Sequence, residues 1–555
     1  MKKEIKMKRL KVYLLSISIA IATALSFGFA DNYFSISKNL DIFSSVYKEL
    51  NTYYVDEIKP GELIKTAIDN MLTSLDPYTN YIPESNIEDY RFMTTGQYGG
   101  IGALIHQDSI YVRISEPYEG FPAQKAGLMA GDILLEIDDK DATNRTTEEV
   151  SKLLKGQSLS EVKLKIKRPV NDSTFTTTFK RENIKIEDVP YYGMINDNTG
   201  YIKLSGFTNT ASTEFKDAFK NLKKQGMEKL VFDLRDNGGG LLIEAVNIVN
   251  TLIPRGKVVV KTKGKREEWD ATYATTKEPL DTEIPVVVLV NERSASASEI
   301  VAGCIQDYDR GVIVGKQTFG KGLVQQTRPL SYNAQLKVTV AKYYIPSGRC
   351  IQKIDYSNKN IEGFAEMVPD SMIHSFKTLV SQREVFDGKG IKPDIVTNDE
   401  KMSKIAITLI QKLLIFDYAT DYRYRNKQVA KAGTFSLTDR EYEAFKNFLE
   451  DKDYNYQTES ERLLERLEEV AKKEMYYEDA EKEYEALEER IIKDKKDDLN
   501  KFKEEVKQLL ENEIVSRYYY QSGRIAQSLS HDPDILKALE VFDEDNYKNI
   551  LSGNY

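Results

Sequence analysis

Ile284-Pro285-Val286-Val287-Val288-Leu289-Val290-Asn291-Glu292-Arg293-Ser294-Ala295-Ser296-Ala297-Ser298-Glu299-Ile300-Val301-Ala302-Gly303 reads as a buried strand, a polar turn and the opening of a helix. The unbroken apolar run from Pro285 to Val290 is the pattern of a strand covered on both faces. Serine is a favoured helix cap, so capping is the structural role open to each of Ser294, Ser296 and Ser298. A strand-to-helix turn is also where hydrolases expose a nucleophile. There the next residue's N–H is aimed at the oxyanion that develops during attack.

A second continuous apolar run, Leu230–Leu234, precedes this stretch, and from about 184 to 396 apolar strands alternate with helices. That alternation predicts an α/β layer arrangement. Between 97 and 181 the texture is short strands, glycines and one helix, with a helix expected over Thr147–Leu154 and a strand over Val162–Lys167. Residues 39–95 carry helical periodicity, ended near Leu75-Asp76-Pro77-Tyr78 because proline disfavours helical geometry in the residue before it. Residues 401–555 are helical and highly charged, which reads as solvated helical faces. There is no internal repeat and no low-complexity linker.

At 555 residues the chain exceeds one hydrophobic core and is expected to form two to four domains. A net charge of −9 argues against nucleic acid as the main partner. The two cysteines, Cys304 and Cys350, are too few for a disulfide framework or a zinc site; they are two buried thiols or one bridge. Lys2, Lys3, Lys6, Lys8, Arg9 and Lys11 precede an uncharged apolar run from Val12 to Ala30, the pattern of an export signal. Gly28-Phe29-Ala30 places small residues where a signal peptidase reads. The run also approaches the length of the shortest membrane-spanning helices, so an uncleaved anchor is the alternative. Either way the rest of the chain is expected outside the cytoplasm.

A serine nucleophile needs a base, and only His106, His374 and His531 are available among histidines. His374 lies in the α/β region and stays open, because triad partners need not be near in sequence. Lys321, between Gly320 and Gly322, is the other candidate. A lysine with a pKa of ~10.4 is neutral in about one molecule in 2,500 at pH 7; bringing it near 7 means disfavouring its charge by roughly 4.6 kcal/mol. Such a lysine needs a largely apolar pocket without a tight carboxylate partner. The ordinary fate of the side chain is a surface or salt-bridged position.

Ser294-Ala295-Ser296-Ala297-Ser298-Glu299-Ile300, followed by Thr318-Phe319-Gly320-Lys321-Gly322-Leu323-Val324-Gln325, resembles the core signature of the carboxyl-terminal processing (tail-specific) peptidases. Ser296 and Lys321 keep that family's separation of 25 residues. Val231-Phe232-Asp233-Leu234-Arg235-Asp236-Asn237-Gly238-Gly239-Gly240 resembles its Asp-Leu-Arg-x-Asn-x-Gly-Gly loop, with Gly238 where many relatives have proline. Leu75–Tyr81, Ala341–Arg349 and Gly390–Asp394 resemble further motifs, in order, so the likeness runs from about residue 40 to 400. Tyr98–Arg168 looks like an inserted PDZ domain.

The resemblance implies a ClpP/crotonase-like α/β protease core with an inserted PDZ-like domain and helical N- and C-terminal regions. The expected divisions are a signal or anchor at 1–30, a helical region at 31–95, a PDZ-like domain at 96–182, the core at 183–400 and the charged helices at 401–555. Ser296 is then nucleophile, Lys321 base, and Gln325 the residue that orients the lysine. Ala297 with Gly239 or Gly240 supplies the oxyanion N–H groups. Gly99-Gly100-Ile101-Gly102 can point successive N–H groups at a substrate's terminal carboxylate, the alternative being a plain hairpin turn.

The expected reaction is hydrolysis near the C-termini of exported or misfolded proteins, in a periplasmic or otherwise extracytoplasmic setting, with no metal or organic cofactor. Relatives imply homo-oligomers, and the 401–555 helices could serve assembly or docking of an adaptor. An inactive PDZ scaffold and a tricorn-like hydrolase using a histidine base are the rival readings. Intact Ser296, Lys321 and Gln325 argue against the first; the lack of a histidine near the early core motifs, and the presence of Lys321, argue against the second.

Overall fold

The computed structural model describes residues 33–398 and 401–554; segment 1–30, with its signal-or-anchor reading, lies outside the described residues. Among the described residues no helix is long and apolar enough to cross a membrane. Two units are separated by the pattern of contacts. Residues 33–81 with Leu336–Val338 make the first. It contains a helix over 33–53 and a second over Pro60–Thr73, which starts on proline, a residue whose fixed φ suits the first helical position. Asp76 then accepts hydrogen bonds from the N–H groups of Tyr78 and Thr79, at 2.8 Å each, and closes the turn.

The second unit, Ile82–Gln335 with Thr339–Tyr555, holds three assemblies. In the first, the strands Ala103–Asp108, Tyr111–Pro117, Ile133–Ile137, Glu161–Arg168 and Ser173–Lys180 form an antiparallel sheet in that order. Val162, Leu164 and Ile166 point inward while the lysines between them face out, as the two-residue period of a strand requires. The helix Thr147–Leu154 packs Val150 and Leu154 on this core. Its cap is reciprocal: Thr146 accepts from the Glu149 N–H and Glu149 accepts from the Thr146 N–H.

The second assembly is a six-stranded sheet made of β1 (Tyr191–Met194), β2 (Thr199–Lys203), β3 (Lys229–Asp233), β4 (Val286–Val290), β5 (Val312–Gly315) and β6 (Ile395–Val396) in spatial order. Only the β1–β2 pairing is antiparallel; the others are parallel. Helices α1 (Ala211–Lys224), α2 (Leu242–Leu252) and α3 (Ala297–Asp307) contribute Phe215, Ile248 and Ile300 to a core with Phe232, Val288 and Ile313.

The opposite face of the sheet presents Tyr201, Val231, Val287, Leu289, Val312 and Val314. Leu529, Ile535, Val541, Phe542 and Ile550 cover it, mostly from α4 (Pro533–Val541) and α5 (Glu544–Ser552). Each fully buried aliphatic side chain there contributes about 1.5–3 kcal/mol relative to exposure. The end of the chain therefore completes the α/β layers, a placement the sequence reading did not anticipate. The third assembly is the helical bundle that precedes it, with its own core of Leu409, Tyr418, Phe445, Leu449, Val506 and Ile514. Arg524 of that bundle pairs with Glu116 of the first assembly at 2.8 Å.

Cys304 is buried and Cys350 partly so; both are free thiols.

Candidate active site

Three loops leave the carboxyl ends of the neighbouring parallel strands β3, β4 and β5, the side of an open α/β sheet where ligand sites form. The loop after β3 carries Asn237–Gly240, the loop after β4 carries Ser294–Ser296, and the loop after β5 carries Thr318–Lys321. Three motifs far apart in sequence meet because their strands are adjacent.

The serine cluster resolves into two structural residues and one different one. Ser294 is buried and donates from Oγ to the Leu234 carbonyl at 2.8 Å. Ser298 is buried and donates to the Asn237 carbonyl at 2.9 Å. Ser296 alone of the three keeps partial exposure. It also departs from the extended geometry of an ordinary N-cap, with φ 57° and ψ −111°. Those angles match the first central position of a type II′ turn, a place that favours glycine. A serine held there costs about 1–3 kcal/mol, strain of the kind that collects at functional sites. Its main chain is pinned on both sides: its carbonyl accepts from Tyr343 Oη at 3.1 Å and its N–H donates to Glu299 Oε2 at 2.8 Å.

Glu299 is fully buried and organises the site. Oε1 accepts from Thr318 Oγ1 at 2.6 Å and the Gly320 N–H at 2.7 Å. Oε2 accepts from the N–H groups of Ser296 at 2.8 Å and Lys321 at 2.9 Å. Burial pushes this carboxyl above the usual range, and the bonds from Thr318, Lys321, Ser296 and Gly320 pull against it. Four donors on two oxygens are the complement of an ionised carboxylate. Sequence reading gave Glu299 no role. Its position three residues after Ser296 is the capping-box spacing and was the available signal.

Lys321 lies between two glycines that the fold requires. A Cβ on Gly320 would sit 2.5 Å from Lys353 Cβ, at φ +87°, and one on Gly322 would sit 2.9 Å from the Gln352 N. The segment 351–353 thus backs the lysine loop, with the Gly322 N–H donating to Gln352 Oε1 at 2.7 Å. Gln325 donates from Nε2 to Thr339 Oγ1 at 3.2 Å.

Asn237 is buried and ties the glycine loop to the serine turn. Its carbonyl accepts from the Ala295 N–H at 3.0 Å, and its Nδ2 donates to the Leu204 carbonyl at 2.8 Å. Gly239 passes directly over Ser296: a Cβ there would come within 2.6 Å of the Ala295 O and 2.9 Å of both the Ala297 N and Ser296 Cβ. The Gly239 N–H donates to Asn237 Oδ1 at 2.9 Å. Gly240, at φ +152°, packs instead on the Phe207 carbonyl, 2.4 Å from where its Cβ would lie. Ala297 is buried as the first residue of α3, where backbone N–H groups lack helical acceptors.

The histidines lie elsewhere. The His374 side chain is 71% exposed and meets Asp387 at 3.3 Å. His106 contacts Ser115 at 2.7 Å and packs edge-on against Phe416.

The Gly99-Gly100-Ile101-Gly102 run is divided by the fold. Gly99 and Gly100 belong to the strand Gln97–Gly100, antiparallel to Glu182–Lys185. Ile101 and Gly102 form the corner that leads out of this strand. That corner is fixed by the Ala123 N–H on the Ile101 carbonyl at 2.8 Å and the Tyr118 N–H on the Gly102 carbonyl at 2.9 Å.

A family model for peptidase family S41 matches residues 198–360, one for a PDZ domain matches 113–168, and one for the probable PDZ-protease C-terminal helical domain matches 405–542. The chain is 36% identical over 321 residues to a "Carboxy-terminal-processing protease" of Bartonella bacilliformis, covering 57% of this chain and 73% of that protein. It is 33% identical over 372 residues to a "Probable CtpA-like serine protease" of Staphylococcus aureus, covering 66% and 67%. Among solved structures, the photosystem II D1 C-terminal processing protease shares 28% identity at a TM-score of 0.36, over 64% of this chain and 92% of that one. With a PDZ domain beside its S41 peptidase fold and a C-terminal helical domain after it, this chain belongs to the carboxy-terminal-processing proteases and is a serine protease.

Proposed function

We propose that this protease is exported and cleaves proteins near their C-termini by a Ser-Lys mechanism. Ser296 attacks the scissile carbonyl, Lys321 takes its proton and returns it to the leaving amine, and Gln325 orients the lysine. The developing oxyanion lies at the N-terminus of α3, where the Ala297 N–H and the helix dipole both favour negative charge. Gly239 or Gly240 supplies the second donor. For Gly239 this means exchanging its bond to Asn237 for one to the substrate.

The observation that carries the reading is the shared carboxylate oxygen of Glu299, which holds the backbones of Ser296 and Lys321 together. Preorganisation of this kind matters because a misplacement of about 1 Å can cost on the order of a hundredfold in rate.

The PDZ domain recruits the substrate tail, with Gly99-Gly100-Ile101-Gly102 facing the terminal carboxylate and the peptide adding as a strand. The divisions 1–30, 31–95, 96–182, 183–400 and 401–555 and a ClpP/crotonase-like fold of the core belong to this proposal. The basic and apolar segment 1–30 supports an extracytoplasmic location, periplasmic or anchored to the inner membrane. Exposed Phe34, Leu40 and Phe43 on the helix over 33–53 support assembly with further copies, and the charged helices after residue 401 support an adaptor.

The test is cleavage of an unfolded protein bearing an apolar C-terminal tail, by wild type, Ser296→Ala and Lys321→Ala, with the tail also amidated. Both variants should be inactive with intact circular dichroism, and amidation should raise KM. Wild-type cleavage by Lys321→Ala would contradict the mechanism and turn attention to His374.

A further inference from the structure

Arg235 lies at the start of the glycine loop, and its guanidinium is held from two directions. Nε donates to Asp233 Oδ1 at 3.1 Å, and Nη2 meets Asp233 Oδ2 at 2.8 Å and Asp532 Oδ2 at 2.9 Å. Nη1 donates to Asp532 Oδ1 and to Asp534 Oδ2, both at 2.9 Å. Asp233 belongs to β3, whereas Asp532 and Asp534 come from the N-terminus of α4, about 300 residues later. Asp532 also caps α4, accepting from the N–H groups of Asp534 and Ile535.

The loop beyond Arg235 runs straight to the serine turn. Asp236, at φ +64°, donates its N–H to Asn291 Oδ1 at 3.0 Å. Asn237 then contacts Ala295 and Ser298 on either side of Ser296, and Gly239 lies against Ser296 itself. Only Asp236 separates Arg235 from Asn237, so the placement of Arg235 sets where the chain enters the Asn237–Gly240 loop.

We propose that Asp532 and Asp534 are positioning residues for peptide hydrolysis, acting through Arg235 to hold the Asn237–Gly240 loop over Ser296. The C-terminal helical region thereby sets the geometry of the oxyanion loop from the back of the sheet. The geometry explains why Arg235 needs three carboxylates: Asp233 alone fixes the arginine to its own strand, and α4 fixes its direction across the strand end. The inference rests on Ser296 being the nucleophile.

The test uses the full chain. Asp534→Asn is the cleanest variant, because the Asp534 carboxylate bonds Arg235 while the cap of α4 comes from Asp532. In Asp532→Asn the asparagine still caps. We expect kcat to fall about fivefold in Asp534→Asn and at least about twentyfold in the double variant, the scale of a sub-ångström loop displacement. Labelling of Ser296 by a fluorophosphonate should slow in step, while KM for a tailed substrate stays unchanged and the melting midpoint falls but remains above the assay temperature. Asp534→Glu, which keeps the charge, should recover most of the loss. Unchanged kcat in a folded Asp534→Asn, or a loss confined to KM, would overturn the proposal. Should the double variant unfold, the single variant decides. If Ser296→Ala still cleaves, the nucleophile reading has failed instead; if Ser296→Ala is inactive and the aspartate variants are unimpaired, only this inference fails.

Discussion

The backbone N–H groups of Ser296 and Lys321 donate to one and the same oxygen, Glu299 Oε2, at 2.8 and 2.9 Å. Two residues from different loops are thereby referenced to a single buried atom on α3. Their side chains inherit that reference, because each leaves a backbone whose N–H direction is fixed.

Replacing Glu299 with glutamine keeps the volume but substitutes an amide NH2 for one acceptor oxygen. Two buried N–H or O–H donors then face a donor, at a cost of about 1–3 kcal/mol each. The expected outcome is a kcat at least about a hundredfold lower, from displacement of the serine and lysine loops, with a lower melting midpoint. Steady-state kinetics beside thermal denaturation check both parts.

Asp233 gives stability a definite pH dependence. Burial pushes its carboxyl up, but the Arg235 and Lys203 charges, with hydrogen bonds from Arg235 and Tyr201, overcome this and hold it well below the usual carboxylate range. A depressed carboxylate contributes fully above its unfolded pKa, and the contribution is lost as pH falls through the folded value. Glu299 has the opposite sign: its raised carboxyl favours the folded state most at acid pH. Asp233→Asn should therefore be less stable than wild type at pH 7, by about 3–5 kcal/mol for a broken buried pair, and the gap should narrow below pH 4. Melting midpoints across pH 3–8 measure this.

The backbone at Ser296 separates strain from chemistry. Ser296→Gly removes the hydroxyl and also the Cβ that is unfavourable at φ 57°. Ser296→Ala removes only the hydroxyl. Both should be inactive, but Ser296→Gly should melt above Ser296→Ala, by the equivalent of about 1–3 kcal/mol. Equal midpoints would mean that the turn stores no strain.

The glycines flanking the site are closed to a side chain. Gly239→Ala would push on the Ala295 carbonyl and the Ala297 N–H, and Gly320→Ala would collide with Lys353, in each case at a positive φ. Each substitution should lower kcat by at least about tenfold, because the displaced groups frame Ser296 and Lys321. Binding of a tail peptide, measured by calorimetry, should be unaffected.

Much of this was legible in the sequence. Two apolar runs, Leu230–Leu234 and Pro285–Val290, marked strands covered on both faces, and both lie in the middle of the six-stranded sheet. Thr147–Leu154 and Val162–Lys167 were readable from the residue pattern, and the structure has a helix over Thr147–Leu154 and a strand over Glu161–Arg168. The covering of the second face was not readable. Pro533–Val541 carries an ordinary amphipathic pattern, and nothing local says whether its apolar side meets a bundle or a distant sheet. The serines were ambiguous for a similar reason. Capping and nucleophilic serines look alike in sequence, and only the acceptors Leu234 and Asn237 show that Ser294 and Ser298 are structural. Glu299 was overlooked because a glutamate in the first turn of a helix is usually a solvated cap partner, whereas here strand adjacency brings Thr318–Lys321 onto it.

The most direct test of the Ser-Lys reading is labelling of the full chain with a fluorophosphonate, followed by mass spectrometry of the adduct. The expected result is a single adduct on Ser296 that forms faster as pH rises, and that is absent from a folded Lys321→Ala. An adduct on another residue, or undiminished labelling of Ser296 in Lys321→Ala, would contradict it.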